Sequence, residues 1–492
     1  MSKANHREIE LKLRVPSPMA RSVDLDVAGK GGSRRVHLQA VYLDTPDGDL
    51  ASHRLAWRLR KEGRSWVQTL KAATAGDHTG LDRFEHEVQR GSTNVAPAFD
   101  HTLHAGTPAG ELLAEVLAGA GTPVEQRFHT DIWRRSRKVR TRAGTVELAF
   151  DRGKVASGER SMHVCELEIE LVSGSVSAVF DTARKWVTTH GLWLDSVNKA
   201  MRGRLAASTD AELPLVKANI PQLSPAMSAD EAVRVMVRAC LPQVMHNASA
   251  VSEGLGGHEH VHQARIGIRR IRTVLREFAE HLPSINASWN EQLAVTFGQL
   301  GELRDREVVL AEWTSVLAAN GAPPFSLPVA HDTDPRDILR HRDFSLLLLD
   351  LLEFAYGTPD DTTAPCAAVI AAVLQRLHRQ IRRRSKKFAT GSVEYRHATR
   401  KTVKRLRYIA ELSASLYSPR KVKKFLTTVA PAQERLGELN DLLVAAEIYQ
   451  SLTDRHGQAW FAVGWLKARE RAAVKRAIAP LQRVADAEPF WR

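Results

Sequence analysis

Cysteine is scarce in this chain: its 492 residues include only Cys165, Cys240 and Cys366, far apart and without a metal-like or redox spacing. A disulfide framework and a thiolate metal site are therefore not expected, and reduced thiols in a cytoplasmic setting are. Long apolar runs are missing as well. None is long enough to span a bilayer, and the opening MSKANHREIELKL carries charge where a secretory leader would have its apolar core. No membrane insertion is expected. Aromatic residues make up 6% and are not interleaved with the basic ones as platforms for stacked bases. Nucleic acid is thus the weaker choice of polyanion, supported by charge alone. Acidic residues fall short too, with 56 Asp and Glu against 70 Lys and Arg and a formal charge of +14. That imbalance predicts attraction to polyanions without saying which.

What is present is a folded composition, 43% apolar, in a chain too long for one ordinary domain. Residues from about 8 to 205 alternate polar and apolar in short runs, among them EIELKLRV, LAWRLR, SWVQTLK, DRFEHEV, TVELAFD and HVCELEIELVSG. Period two is the strand period, so an antiparallel sheet is expected, with helical interruptions at 108–119 and 175–190. A stretch rich in Ala, Ser and Pro follows. Beyond it, apolar residues recur at spacings of three and four almost to the end, with loops at 256–258 and 354–366. The expected division is a sheet domain over 1–205, a linker over 206–227 and an all-helical domain over 228–492. Trp460, Phe461 and Trp465 are expected as core contacts of the last helix.

Alternation also sorts the charges. Glu8, Glu10 and Lys12 share one strand face, and Glu166, Glu168 and Glu170 share another. Arg58 and Arg60 alternate in WRLR, Arg83, Glu85 and Glu87 in RFEHE, while Lys71, Arg134 and Lys199 add to the basic inventory. Like charges on neighbouring strands repel unless something positive lies between them. A closed sheet with these side chains inside would be a polar tunnel. Basic groups there would grip the oxyanions of a triphosphate, and divalent cations would bridge carboxylates to phosphate. A solvated sheet face is the plainer alternative for any one strand.

The order of motifs resembles the CYTH superfamily of triphosphate tunnel metalloenzymes. ExExK is matched by Glu8, Glu10 and Lys12, and the DTPD-type segment by Asp44 to Leu50. Arg58 and Arg60, Trp66 to Lys71, Arg83 to Glu87, Glu166 to Glu170 and Lys199 to Gly203 follow in sequence. The resemblance implies an eight-stranded antiparallel tunnel using Mg2+ or Mn2+. Glu8, Glu10, Glu168 and Glu170 would then hold metal, and Lys12, Arg58, Arg60, Lys71, Arg83, Arg134 and Lys199 would bind triphosphate. Glu85, Glu87 and Glu166 would position metal or base. Thiamine triphosphatases and class IV adenylate cyclases share the family; members fused to a helical module like this one are generally inorganic triphosphatases.

The helical half contains an internal repeat. HQARIGIRRIR at 262–272 aligns with HATRKTVKRLR at 397–407, and LGELRD at 300–305 with LGELND at 436–441. His262, Arg265, Arg269 and Arg272 follow steps of three, four and three, as do His397, Arg400, Lys404 and Arg407. Each set forms a stripe of like charge that an anion would stabilise. Arg376, Arg379, Arg383 and Lys386 repeat those steps. Asp305 and Asp441 read as supports for basic residues.

This half resembles the CHAD domain, a histidine-containing helical domain known for binding inorganic polyphosphate. That resemblance implies binding surfaces that include Arg270 beside the first stripe and Arg405 beside the second. The whole is expected to be a metal-dependent inorganic triphosphatase with a polyphosphate-binding module, cytoplasmic and near polyphosphate granules. A non-catalytic polyphosphate scaffold and a hydrolase of thiamine or nucleoside triphosphate are the alternatives, and the oligomeric state is left open.

Overall fold

The computed structural model describes residues 3–73, 79–210, 212–323 and 334–492, with the side chains of 3–7 and 302–312 outside that description. The chain divides into two compact units. The first comprises Met1–Lys217, Leu241–Ala264 and Leu339–Gly357; the second comprises Ala218–Cys240, Arg265–Ile338 and Thr358–Arg492.

The first unit is built on strands β1 (Lys3–Arg14), β2 (Arg34–Asp44), β3 (Leu55–Glu62), β4 (Ser65–Ala73), β5 (Asp82–Ser92), β6 (Glu125–Arg140), β7 (Gly144–Ser157) and β8 (Arg160–Gly174), with a short β9 (Trp193–Leu194) added to β1. They run in the order β5-β4-β3-β2-β6-β7-β8-β1, antiparallel throughout. Closure comes from β1, whose first half pairs with β5 and whose second half pairs with β8. The result is an eight-stranded antiparallel barrel.

The usual sheet arrangement is turned inside out. On β3 and β4 the apolar set Leu55, Trp57, Leu70 and Ala72 points outward, beneath Leu113 and Val116. Each such burial contributes roughly 2 kcal/mol, so the apolar stripes face the covering helices and the charged stripes face the barrel's interior. Part of that interior is apolar nevertheless. Leu38, Ala40, Tyr42, Phe128, Ile132, Val155 and Val164 cluster there with Ala200.

Helices of this part are α1 (Ala20–Ala28), the single turn α2 (Asp49–Ser52), α3 (Pro108–Gly119), α4 (Ser177–His190) and α5 (Lys199–Ala207). Only α3 and α4 are legible from periodicity. α1 buries Ala20, Val23 and Val27 but has nine residues, too few for a period to stand out. α5 starts where the Asn198 side chain accepts a hydrogen bond from the Met201 N–H at 2.9 Å. It packs so closely inside the barrel that a Cβ on Gly203 would lie 2.1 Å from the Phe128 ring.

The rest is helical: α6 (Ala229–Ser252), α7 (His258–Phe278), α8 (Ala287–Ala318), α9 (Pro335–Arg340), α10 (Arg342–Tyr356), α11 (Cys366–Ser385), α12 (Val393–Leu412), α13 (Pro419–Gln450) and α14 (Ala459–Asp486). Segments that align in sequence fold into helices of matching length, 21 and 32 residues for α7 and α8, 20 and 32 for α12 and α13. Among the described residues no helix is long and apolar enough to cross a membrane. One core assignment fails: Trp460 is 57% exposed, because it opens α14 on the side away from Ala459, Ala462 and Val463, which are the buried residues of that turn.

Candidate active site and basic helix face

Pairing register decides which charges meet in the barrel. Glu10 stands opposite Glu170, Lys12 opposite Glu168 and Arg14 opposite Glu166 on β1 and β8. Across β1 and β5, Glu8 stands opposite Arg83, and across β4 and β5, Lys71 opposite Glu85. Directly opposed residues share a face, so these strand-borne carboxylates and basic groups lie on one common face of the sheet.

Two neighbourhoods result. In one, the Lys71 ammonium lies 2.9 Å from Glu8 and 3.1 Å from Glu85. Arg58 is 3.5 Å from Glu85 and donates to the Tyr42 hydroxyl at 3.3 Å, and Arg60 is 3.1 Å from Glu87. Arg83 donates from Nε to the Gly80 carbonyl at 2.8 Å. In the other, Lys12 lies 3.1, 3.5 and 2.9 Å from Glu10, Glu166 and Glu168. Lys199 lies 2.6, 2.5 and 2.8 Å from Asp151, Glu166 and Glu168. Arg134 donates to both oxygens of Asp151 at 2.6 Å and also to Glu168.

These pairings shape the proton affinities. Burial alone would push the Lys12 ammonium down, but Glu10, Glu166 and Glu168 hold it well above its ordinary value. Lys71 and Lys199 are likewise raised against burial by their carboxylates. Burial would raise Glu168, yet Lys12, Lys199 and Arg134 hold it well below the carboxylate range. Glu170 goes the other way. Burial, then Glu8 and Glu10, push it up to about 8.

Asp151 is a member of the interior charge cluster that sequence reasoning missed. It is fully buried and forms, with Glu166 and Glu168, a group of carboxylates whose ligand atoms lie within 4.8 Å of one another. Its signal was present in TVELAFD, where it follows Glu147 at an even spacing and so shares that strand face. Arg134 points inward, whereas Arg135 pairs with Asp24 at 2.7 Å and Arg137 donates to the Asp26 carbonyl at 3.0 Å. Asp44 of the DTPD segment plays a structural part, its carboxylate accepting from the N–H groups of Thr45, Leu50 and Ala51.

In the second unit the basic stripes of α7 and α12 come together, Lys404 beside Arg269 and Lys401 beside Arg272. Arg265, Arg269 and Arg272 set their guanidinium carbons 4.8, 5.0 and 5.9 Å from the Phe297 ring centre. Burial, with Arg400 and Arg269 next, pushes the Lys404 ammonium down to about 6, against the pull of Asp441. Burial, Arg276 and Arg269 lower Arg272, and burial, Arg272 and Arg276 lower Lys401. His397 is exposed, its Nδ1 3.0 Å from the Asn440 side-chain oxygen. The equivalent support at Asp305 falls outside the described side chains.

Not every basic residue faces outward. Arg270 is 3% exposed and donates to the Asn219 carbonyl at 3.2 Å, a core role. The buried Glu277 accepts from Arg376 at 3.0 Å and from Arg405 at 2.6 Å, tying α11 to α12. Arg407 lies 2.6 Å from Glu411. Arg379, Arg382, Arg383 and Lys386 are exposed and, with Arg376, line a cavity of about 500 Å³. His262 lies on α7 in the first unit.

A family model described as the CYTH domain matches residues 6–203, and one described as the CHAD domain matches residues 235–450. An inorganic triphosphatase from Haemophilus influenzae is 29% identical over 217 residues, which are 41% of this chain and 55% of that protein. The chain thus spans about half the length of this curated relative. Among solved structures, the CHAD domain from the plant Ricinus communis is 24% identical with a TM-score of 0.43, covering 55% of this chain and 96% of that one. A Hippeastrum protein reported to have a dominant triphosphatase activity is 17% identical with a TM-score of 0.27, covering 38% of this chain and 90% of that one.

Proposed function

The chain carries a CYTH domain followed by a CHAD domain, and we propose that the first hydrolyses inorganic triphosphate to pyrophosphate and phosphate while the second binds inorganic polyphosphate. The observation that carries the hydrolase reading is the closed barrel whose interior gathers Lys12, Arg58, Arg60, Lys71, Arg83, Arg134 and Lys199 among carboxylates. Seven basic groups inside one barrel suit a short, densely charged anion.

The acidic residues fit a divalent cation. Glu8 and Glu10 are at most 8% exposed, and with them burial makes a third negative charge at Glu170 unfavourable. Hard carboxylate oxygens suit Mg2+ or Mn2+. Glu8, Glu10 and Glu170 would hold the ion, with Glu168 released from its ammonium partners as a further ligand. When bound, such an ion neutralises phosphoryl charge and orients the attacking water.

The chain's own groups do the rest. Arg58, Arg60 and Lys71 grip phosphate oxygens, and Glu85 and Glu87 orient them. Burial would raise both carboxylates, but Lys71 and Arg58 lower Glu85, and Arg60 and Arg58 lower Glu87, which makes both poor proton acceptors. Lys12, Lys199 and Arg134 serve as counterions to Asp151, Glu166 and Glu168 until phosphate arrives. They can then donate to phosphate oxygens only if the carboxylates they leave, buried at Asp151 and Glu166, gain another cation in exchange, a part the divalent ion would fill. Water forms the new bond at the terminal phosphorus as the bond to pyrophosphate breaks.

For the helical domain, burial and, after it, neighbouring arginines lower the proton affinity of Lys404, Lys401 and Arg272, which supports the reading, since a polyanion there would offset the repulsion between cations. Arg265, Arg269, Arg400 and His397 would line the chain's path, and Arg379, Arg383 and Lys386 would extend it, with Arg270, Arg376 and Arg405 acting as supports.

A panel of tripolyphosphate, pyrophosphate, ATP and thiamine triphosphate, assayed with Mg2+ and then Mn2+, tests the hydrolase. Phosphate release should be fastest from tripolyphosphate. Turnover of ATP or thiamine triphosphate alone would reject inorganic triphosphate as the substrate.

A further inference from the structure

Arg14 follows Lys12 on the inward face of β1, opposite Glu166. Its Nε lies 3.1 Å from Oε2 of Glu253, the residue that follows α6. The same oxygen is 3.1 Å from Nη2 of Arg202, and that nitrogen is 2.8 Å from Oδ2 of Asp195. The Arg202, Asp195 and Glu253 side chains are 2%, 0% and 5% exposed. Charges so deeply buried are tolerated only when each has its partner, and removing one leaves the others uncompensated.

Each arginine is bound by the chain to a lysine of the site. Arg14 is two residues beyond Lys12, and Arg202 is one helical turn beyond Lys199. Asp195 adds a third tie, its N–H donating to the Lys12 carbonyl at 2.9 Å. The two ammonium groups reach Glu166 and Glu168 from different elements, one on β1 and one on α5. Their spacing depends on what fixes strand to helix, and one carboxylate touches both arginines.

That carboxylate does not come from the sequence of the barrel. Glu253 lies outside the residues matched to CYTH and inside those matched to CHAD, yet it belongs to the first compact unit. Its neighbours share the pattern: the small cavity beside Glu10, Lys12 and Arg83 is also lined by Met245 of α6 and Leu352 of α10. We propose that Glu253 is a positioning residue for the triphosphate site, holding Arg14 and Arg202 and through them the spacing of Lys12 and Lys199. The barrel thus borrows part of its framework from the helical sequence. This rests on the triphosphatase reading given above.

The test uses the full-length chain. Glu253→Gln keeps size and removes charge; it should raise the KM for tripolyphosphate and weaken its calorimetric binding, measured without divalent ion so that no turnover occurs, by about tenfold, with kcat less affected. Glu253→Asp, which keeps the charge on a shorter arm, should restore part of the loss. Wild-type KM and affinity in Glu253→Gln would overturn the proposal. So would a lower Tm with unchanged affinity, since that is what a purely structural role predicts. If Glu253→Gln does not fold, the aspartate variant decides on the same readout, unaltered affinity again overturning it. Wild-type protein that neither binds nor hydrolyses tripolyphosphate would instead sink the triphosphatase reading, and this proposal with it.

Discussion

The barrel and the helical face both collect cations, but they hold them in opposite electrostatic states. Inside the barrel, carboxylates raise the proton affinity of Lys12, Lys71 and Lys199. On the helical face, burial and then neighbouring cations lower that of Lys404, Lys401 and Arg272. The first arrangement is already neutralised and can only exchange partners, which suits binding a substrate and letting its products go. The second sets cations against one another among the described residues, and an added anion would relieve that repulsion, which suits capture of a long polyanion.

The strongest way to break this contrast is at the acidic side of the barrel. Glu8→Gln with Glu10→Gln should lower metal-dependent phosphate release from tripolyphosphate by on the order of 10³-fold, with an unchanged circular dichroism spectrum. Turnover like the wild type would remove the carboxylates from the chemistry. A smaller effect is expected on the other side. Arg269→Ala, Arg400→Ala and Lys404→Ala together should weaken polyphosphate binding by about tenfold or more and flatten its dependence on salt, roughly one unit of slope per cation lost. Unchanged salt dependence would show that the stripes do not carry the polyanion.

The finest test concerns protons. With a pKa of about 6, the Lys404 amine is mostly neutral at pH 7.5, and a bound polyanion favours its charged form. Binding should therefore take up protons between pH 6 and about 8, and affinity should rise as pH falls through that window, then level off below it. Calorimetry in buffers of different ionisation enthalpy reads the uptake directly. Lys404→Arg, charged throughout, should lose that contribution. An uptake that persists in the variant would assign the proton to another group.

Much of the barrel was legible because the strand period is two: EIELK and CELEIEL announce which residues share a face, and WRLR and RFEHE announce their partners. The basic stripes of α7 and α12 were legible for the same kind of reason, since a helix repeats at three and four. What could not be read was short or distant. α1 and α5 are too brief to show a period, and the outward turn of Trp460 depends on which side of α14 its neighbours bury.

Sequence alone therefore determined the faces, because alternation along a strand or a helix is a local property of the chain. It could not determine the pairs. Glu10 meets Glu170 and Lys12 meets Glu168 through strand register; Asp151 meets Lys199 of α5; and Glu253 reaches Arg14 from the end of a helix more than 200 residues away along the sequence. Charge interactions depend on distance in space and on burial, and both exist only once the chain has folded.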